Sequence, residues 1–187
     1  MLDLYEYWNR RALYYKDGDV LGRTVLKTFI DRIKPKSLIE IGCGNGILFK
    51  LYGDVPLVSG CDWSPNMLTR AQNRCLRHDY KVNLFSHDIT DSAPEGHWQL
   101  AVTRTCLMHI PPDKIEAAVA NIHKICDEAL IFEYWELHYP KEMAPHNWLH
   151  DYMLLFTDAG FKLHDSYARG DIPQVLFWFK KEVTKNG

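Results

Sequence analysis

The stretch from Glu40 to Gly46 constrains the fold more than any other part of the chain. It follows the apolar run Ser37-Leu38-Ile39 and places glycines at positions 42, 44 and 46. Three glycines at alternate positions let the backbone turn sharply, and they let a ligand approach main-chain atoms that side chains would otherwise block. The pattern therefore predicts a buried strand, a glycine-rich turn that binds a nucleotide-like ligand, and a helix.

The glycine spacing argues against a dinucleotide. The dinucleotide fingerprint needs a third glycine three residues after the second, and Ile47 occupies that position here. The spacing is instead G-x-G-x-G, preceded by an acid. A nicotinamide-dependent oxidoreductase is therefore the weaker alternative, and a ligand without a pyrophosphate is expected.

Composition indicates one ordinary globular domain without a nucleic-acid-binding surface. The chain has 187 residues, 47% hydrophobic and 25% charged, and a net charge of -2. A binder of nucleic acid usually carries a basic face, so none is expected here. The five cysteines are odd in number and lack C-x-x-C spacing, which predicts reduced thiols in a cytoplasmic protein. No apolar run is long enough to span a bilayer, so we expect no membrane partner.

Helices and strands are predicted to alternate along most of the chain. The tail differs, since two strands follow each other with a short connection and must pair antiparallel. The pattern predicts an α/β fold, a doubly wound and mostly parallel sheet with a hairpin at one edge. The predicted helices cover residues 2–15, 20–33, 47–52, one from Ser64, one after Pro112, and 148–159; the strands cover 38–41, 56–61, 82–85, 100–103, 129–134, 161–167 and 175–180, the last two joined by 170–173.

Acidic residues follow the second and third predicted strands. Asp62 lies about 20 residues after the glycine turn, where a carboxylate can accept hydrogen bonds from ribose hydroxyls. The alternative is that Asp62 and Ser64 only cap the next helix. Asp88 and Ile89 follow the third strand. The run from Thr103 to Pro112 follows the fourth and contains Leu107-Met108-His109-Ile110-Pro111.

These four motifs, in this order, resemble class I S-adenosylmethionine (SAM) methyltransferases of the small-molecule type. The resemblance is strong from Ser37 to Phe132 and loose beyond. It departs at Gln99, where an Asp is common, and at 126–128, where a Gly-Gly turn is usual. It implies a seven-stranded sheet of order 3-2-1-4-5-7-6, with strand 7 antiparallel and helices on both faces. A single domain is expected over 1–187, with 1–34 as a helical lid and 134–160 as a wall of the acceptor site.

The resemblance also implies cofactor contacts. The glycine turn would serve the methionine end of SAM, and Glu40 would either contact the ammonium group of that end or hold the glycine turn. Asp62 would contact the ribose. Trp63 and Asp88 would contact the adenine, with the Ile89 N–H on a ring nitrogen. Tyr15 and Arg23 are further candidates for the methionine carboxylate. The full predicted set is Glu40, Gly42, Gly44, Asn45, Gly46, Asp62, Trp63, Met67, Asp88, Ile89 and Thr105.

Candidate catalytic residues follow the fourth and fifth strands. His109 is the first candidate for a general base because it titrates near neutrality and lies on the loop beside the expected methyl position. It has an alternative role as a brace for that loop. Glu133 and Glu136 are the next candidates, although both also fit simple solvation at a strand end. His146 and His150 have i, i+4 spacing, yet lack the glutamate of H-E-x-x-H, so no metal is expected.

The sequence therefore predicts methyl transfer from SAM to an O or N atom of a small molecule. Aromatic residues cluster near positions 5–15 and 134–152, where they could exclude water around an acceptor or simply cover the sheet. A non-catalytic SAM-binding partner of another methyltransferase, a protein-directed methyltransferase and an aminopropyltransferase stay open as alternatives. The acceptor and the oligomeric state are left undefined.

Overall fold

The computed structural model describes residues 3–14, 21–135, 144–168 and 174–182. Within these ranges the chain forms five α-helices and seven β-strands. They are α1 Leu4–Tyr14, α2 Leu21–Ile33, β1 Ser37–Ile41, β2 Leu57–Asp62, α3 Pro65–His78, β3 Val82–Ser86, β4 Trp98–Arg104, α4 Ile115–Ile125, β5 Cys126–Tyr134, α5 Tyr152–Asp158, β6 Phe161–Ala168 and β7 Gln174–Lys181. No helix in the described ranges is long and apolar enough to cross a membrane.

The strand order confirms the predicted topology. The seven strands form one sheet of order β3-β2-β1-β4-β5-β7-β6. The β1–β2, β2–β3 and β4–β5 pairs are parallel, whereas β7 runs antiparallel to both β5 and β6. The predicted β6–β7 hairpin is therefore correct, and its connection at 170–173 lies outside the described residues. The chain divides into two compact units, Met1–Asp88 and Ile89–Gly187.

The first unit is organised around β1 and β2. Leu38, Ile39 and Ile41 of β1 are almost fully buried, as expected for a parallel strand covered on both faces. Helix α3 turns the apolar stripe formed by Met67, Ala71 and Cys75 inward, and Leu68 beside it is half-buried.

Helix α3 begins where the sequence predicts. Ser64 is the N-cap and Pro65 the first helical residue, and the Ser64 Oγ accepts a hydrogen bond from the Met67 N–H at 3.2 Å. The same hydroxyl lies 2.7 Å from the Oδ1 atom of Asn9 on α1 and donates to it. A second bond joins Arg70 to the Ala12 carbonyl. Polar contacts thus hold α1 on α3.

The predicted helix at 47–52 is wrong in type. The structure has a 3-10 turn at Phe49–Leu51, in which N–H groups bond to carbonyls three residues earlier, as between Tyr52 and Phe49 at 3.1 Å. The segment is confined between Gly46, with φ +72°, and the turn at Gly53-Asp54. So short a segment closes few α-helical bonds, and the tighter turn forms instead.

The second unit is built on β4, β5 and β7. Residues Ala129–Phe132 of β5 and Leu100–Val102 of β4 are completely buried. Helix α4, the helix expected after Pro112, buries Ile115, Val119, Ile122 and Ile125 on one face. Phe156 stacks on Phe179 with ring centroids 4.7 Å apart. Parallel stacking and full burial make this aromatic pair a large part of the core of the unit.

The predicted helix at 148–159 begins four residues later than expected. Helix α5 starts at Tyr152 because Asp151 is its N-cap, with Oδ1 accepting from the Leu154 N–H at 3.0 Å. Gly160 follows the C-cap Ala159 with φ +97°, a left-handed conformation that ends the helix. His146 and His150 therefore precede the helix and do not share a helical face.

Ser64→Ala should destabilise the protein by about 1–2 kcal/mol, because it removes both the α3 cap and the part-buried hydrogen bond to Asn9. Chemical denaturation measures the change. Ser86→Ala is the matched control, since Ser86 is exposed at the end of β3, and should change the free energy of unfolding by less than about 0.5 kcal/mol. Equal effects of the two substitutions would contradict the assigned cap.

Candidate functional site

The glycine turn follows β1 in a left-handed backbone conformation. Gly42, Gly44 and Gly46 have φ values of 66°, 53° and 72°. A Cβ atom at Gly46 would lie 2.5 Å from the Phe49 ring, whereas one at Gly44 would meet no atom within 4 Å. Gly46 is therefore needed for internal packing. Gly44 borders open space, which is what close approach of a ligand to the backbone requires.

Asp62 joins the end of β2 to this turn. Its Oδ2 accepts the Gly44 N–H at 2.8 Å, and its Oδ1 accepts the Ser64 N–H at 2.9 Å. Burial raises the pKa of the Asp62 carboxyl, and the two N–H bonds oppose that rise. Each oxygen keeps a second lone pair for a further donor. The contacts of Asp62 and Ser64 thus fit the alternative in which they cap the next helix. The remaining lone pairs of the Asp62 carboxylate can still accept hydrogen bonds from ribose hydroxyls.

Glu40 is buried beside the turn and is 3% exposed. The Tyr52 hydroxyl donates to its Oε2 at 3.1 Å. Tyr52 follows the 3-10 turn and is itself 1% exposed. Of the two roles considered for Glu40, this contact fits the one in which it stabilises the turn.

The other predicted cofactor residues of the first unit occupy different environments. Asn45 is buried, and its carbonyl accepts from Arg74 of α3 at 3.0 Å. Met67 is buried on the inward face of α3. Trp63 is half-buried and meets Tyr5 of α1 edge-on, with centroids 6.0 Å apart. Asp88 is half-buried after β3. Of the carboxylate candidates, Arg23 is buried on α2, and Tyr15 lies outside the described residues.

In the second unit, Ile89 and Thr105 are the predicted cofactor residues. The Ile89 carbonyl accepts from the Asn121 side chain of α4 at 2.9 Å. Thr105 follows β4 with φ +48°, a left-handed conformation that costs a β-branched residue about 1–2 kcal/mol. Its N–H donates to the Phe132 carbonyl at 3.1 Å, and its hydroxyl donates to the Arg104 carbonyl at 2.8 Å.

Glu133 is completely buried at the end of β5. Its Oε1 accepts the N–H groups of Cys106 and Leu107 at 2.9 and 3.1 Å, and its Oε2 accepts that of Met108 at 3.4 Å. The Thr103 hydroxyl donates to Oε1 at 3.2 Å. Burial raises the pKa of Glu133 to about 7 against the effect of these donors. The alternative of simple solvation is therefore wrong, and Glu136 lies outside the described residues.

His109 lies on the same loop and contacts the segment at 146–147. Its Nδ1 lies 3.2 Å from the His146 carbonyl. A carbonyl only accepts, so Nδ1 carries the proton and Nε2 is the basic nitrogen. Burial lowers the pKa of His109 to about 4, which leaves the imidazole neutral near pH 7. The hydrogen bond to the His146 carbonyl fits the bracing role, and the neutral imidazole fits the role of a general base.

Residues 146–150 lie along this loop. The Trp148 N–H donates to the Met108 carbonyl at 2.8 Å, and His150 Nε2 donates to the Ile110 carbonyl at 2.9 Å. His150 is buried, so its ring serves this contact. Within the described ranges, no group of three or more His, Cys, Asp or Glu side chains is arranged to hold a metal.

Sequence reasoning missed the partners that fix these groups. Tyr52, Thr103 and Asn121 bond to Glu40, Glu133 and Ile89 respectively. Asn121 has a signal in the sequence, since it is a polar residue adjoining the apolar stripe of α4. Tyr52 and Thr103 carry no such signal. The contact of Tyr52 depends on how the 3-10 turn packs against β1, and that of Thr103 on the pairing of β4 with β5.

Comparison with known proteins agrees with this geometry. Residues 38–128 match the sequence profile of the family described as methyltransferase domain. A search of curated proteins by sequence found no match. The profile match covers slightly less than half of the chain, and the strand order is that of the class I methyltransferase fold.

Solved structures show the same fold at low identity. One is magnesium protoporphyrin IX methyltransferase (ChlM) from Synechocystis PCC 6803 with bound S-adenosylhomocysteine (SAH), with a TM-score of 0.76, 16% identity, and coverage of 96% of this chain and 98% of that one. A TehB-like SAM-dependent methyltransferase from Corynebacterium glutamicum has a TM-score of 0.67, 19% identity and 96% and 97% coverage. The mitomycin 7-O-methyltransferase MmcR has a TM-score of 0.72 and 11% identity, covering 87% of this chain and 53% of that one.

Gly44→Ala and Gly46→Ala should separate binding from packing. Both introduce strain at positive φ, but only Gly46→Ala also displaces the Phe49 ring. We expect Gly44→Ala to weaken SAH binding at least 10-fold while it lowers the free energy of unfolding by about 1–2 kcal/mol. Gly46→Ala should destabilise the protein more. Calorimetric titration measures SAH affinity, and denaturation measures the free energy of unfolding. Unchanged SAH affinity in Gly44→Ala would contradict close approach of the ligand to the backbone at Gly44.

Proposed function

We propose that this protein transfers the methyl group of SAM to an O or N atom of a small-molecule acceptor. The observation that carries the proposal is the link between Asp62 and Gly44. A buried carboxylate there holds the glycine turn open and keeps lone pairs for the hydroxyls of a ribose. This arrangement suits a nucleoside ligand that lacks a pyrophosphate.

The residues of the first unit fit the parts of SAM. Gly42, Gly44 and Gly46, with Asn45 and Glu40, would hold the methionine end, since Gly44 leaves room for a ligand at the backbone. Asp62 would accept from the ribose hydroxyls. Trp63 and Met67 would border the adenine, of which Trp63 offers a half-buried aromatic face.

Residues that follow the carboxyl ends of β3 and β4 supply the other proposed contacts. Asp88 would accept from the adenine 6-amino group, the Ile89 N–H would reach a ring nitrogen, and Thr105 would lie near the methionine end. When bound, SAM supplies a methyl group on an activated sulfonium. The protein then has mainly to position the acceptor and exclude water.

His109 is the proposed proton acceptor. An acceptor hydroxyl or amine loses a proton as it is methylated, and the basic Nε2 of a neutral imidazole can take it. Because its pKa is about 4, His109 is a weak base. It therefore suits an acceptor whose proton becomes acidic only as the new bond forms.

A small-molecule acceptor is favoured over a macromolecule. ChlM and MmcR are described as methyltransferases of magnesium protoporphyrin IX and of mitomycin. The net charge of -2 gives no pull towards nucleic acid. The aromatic residues of the segments predicted as lid and wall, 1–34 and 134–160, would suit a planar acceptor. A cytoplasmic location follows from the reduced cysteines.

Asp62→Ala should weaken SAM and SAH binding by about 1–3 kcal/mol, the cost of leaving hydrogen-bonding partners unpaired. Calorimetric titration of the wild-type protein should show binding of both and none of NAD. Asp54→Ala is the control, because the Asp54 side chain is 92% exposed, and it should bind as the wild type does. If Asp62→Ala keeps full affinity, the ribose assignment is wrong.

Two substitutions at His109 distinguish a base from a brace. Asn can donate its side-chain N–H in place of Nδ1 but offers no basic nitrogen, whereas Ala offers neither. A screen of acceptors with product detection supplies the substrate. We expect both variants to bind SAH normally and to lose at least 10-fold in turnover, and only His109→Ala to lose stability. Wild-type turnover in His109→Asn would leave His109 a purely structural role, and SAM binding without turnover of any acceptor would favour the non-catalytic alternative.

A further inference from the structure

We propose that Glu133 is a positioning residue, which holds the loop after β4 in its strained conformation through the N–H groups of Cys106, Leu107 and Met108. It does not act as the general base considered from the sequence. The proposal rests on the proposed function in one respect, namely that Thr105 of this loop contributes to SAM binding. It goes beyond that function in assigning what keeps the loop competent to bind.

The hydrogen bonds of Glu133 favour this role. Its donors are the backbone N–H groups of three consecutive loop residues and the hydroxyl of Thr103 on β4. A base must present a lone pair to its substrate, whereas this carboxylate is directed at its own chain and is 0% exposed. Burying a carboxylate costs free energy, and buried carboxylates are found where several hydrogen-bond donors satisfy them.

The loop needs to be held because Thr105 is strained. Its φ of +48° suits glycine and not a β-branched residue. Such conformations persist when neighbouring contacts determine them. Here two consecutive residues of β5 do so, since the Phe132 carbonyl accepts the Thr105 N–H and the Glu133 carboxylate accepts the next three.

A carboxylate suits this position better than an amide. Both oxygens of Glu133 accept, Oε1 from Cys106 and Leu107 and Oε2 from Met108. Gln has one accepting oxygen, so its NH2 group would face at least one N–H donor. Glu133→Gln therefore preserves the shape of the side chain and weakens its hold on the loop.

Weakening the hold of Glu133 on the loop should lower the fraction of protein molecules whose loop is in the conformation that binds SAM. If the loop leaves its bound conformation, the apparent dissociation constant rises in inverse proportion to the remaining fraction. Glycine at position 105 adopts φ +48° without strain. Thr105→Gly should therefore reduce the dependence of the loop on Glu133.

The test is a double-substitution cycle in which SAH affinity is measured by calorimetry. We expect Glu133→Gln to weaken SAH binding about 10-fold in the wild-type background and less than 3-fold in the Thr105→Gly background. Glu128→Gln is the matched control. Glu128 is on the same strand but bonds to Trp178 at 2.6 Å, so SAH affinity should be unchanged.

Two outcomes of this cycle separate the proposals. If the wild-type protein does not bind SAH, the proposed function fails. If the wild-type protein binds SAH and a folded Glu133→Gln variant binds it equally well, only the positioning role fails. Equal weakening by Glu133→Gln in both backgrounds would also overturn it, because Thr105 would then not be what Glu133 holds.

The pH dependence of SAH binding provides a second readout that survives if Glu133→Gln does not fold. Protonation removes accepting capacity from Glu133, whose pKa is about 7. The affinity of the wild-type protein for SAH should fall as the pH is lowered from about 8 to 6. The affinity of the Thr105→Gly variant for SAH should fall less over the same range. The same slope in both proteins would overturn the proposal.

Three titratable groups lie near Glu133, namely Tyr152, His109 and His150, and the pKa of each is shifted away from the range tested. Burial lowers the pKa of His150, whose Nε2 donates to the Ile110 carbonyl of the same loop. Tyr152 of α5 faces Glu133 and the Cys106 thiol, and its pKa is raised well above 10, so the phenol stays protonated. The pKa of His109 on the loop is about 4, below the range tested. A folded Glu133→Gln variant should lack the slope.

Discussion

A buried carboxylate that accepts backbone N–H groups is the interaction on which the candidate site depends. Asp62 does this in the first unit, where it joins the end of β2 to Gly44 and Ser64. Glu133 does it in the second unit, where it joins the end of β5 to three consecutive residues after β4. Loops at strand ends have unpaired amides, and a carboxylate with two accepting oxygens is the side chain best able to collect several.

Two buried groups of the second unit, Glu133 and His109, make the stability of the protein depend on pH in opposite directions. Burial raises the pKa of Glu133 to about 7, so its folded form binds protons more readily than its unfolded form, and its contribution to stability falls as the pH rises through 7. Burial lowers the pKa of His109 to about 4, so its contribution falls as the pH drops from about 6.5 through 4. The pH dependence contributed by Glu133 on β5 is therefore opposite in sign to that contributed by His109 on the loop after β4.

Much of the fold could be predicted because it depends on local patterns. The α3 cap at Ser64, the apolar stripe of α4 and the reversed β7 strand all follow from residue periodicity and turn residues. The errors have local physical causes too. The segment after Gly46 is too confined to form an α-helix, and Asp151 provides a better cap than any residue near Trp148. Of the site, the glycine turn and Asp62 could be predicted, since both belong to one strand-turn-helix pattern.

The sequence by itself determined the order of elements, the glycine turn and the class of ligand, because each depends on residues that are neighbours in the chain. Only the tertiary structure decided what Glu133 and Thr105 do. Glu133 meets Cys106 from 27 positions away, and the left-handed φ of Thr105 is not expected of a threonine. Both arise because parallel pairing of β4 and β5 brings their carboxyl ends to one edge, a contact that no periodicity along the chain encodes.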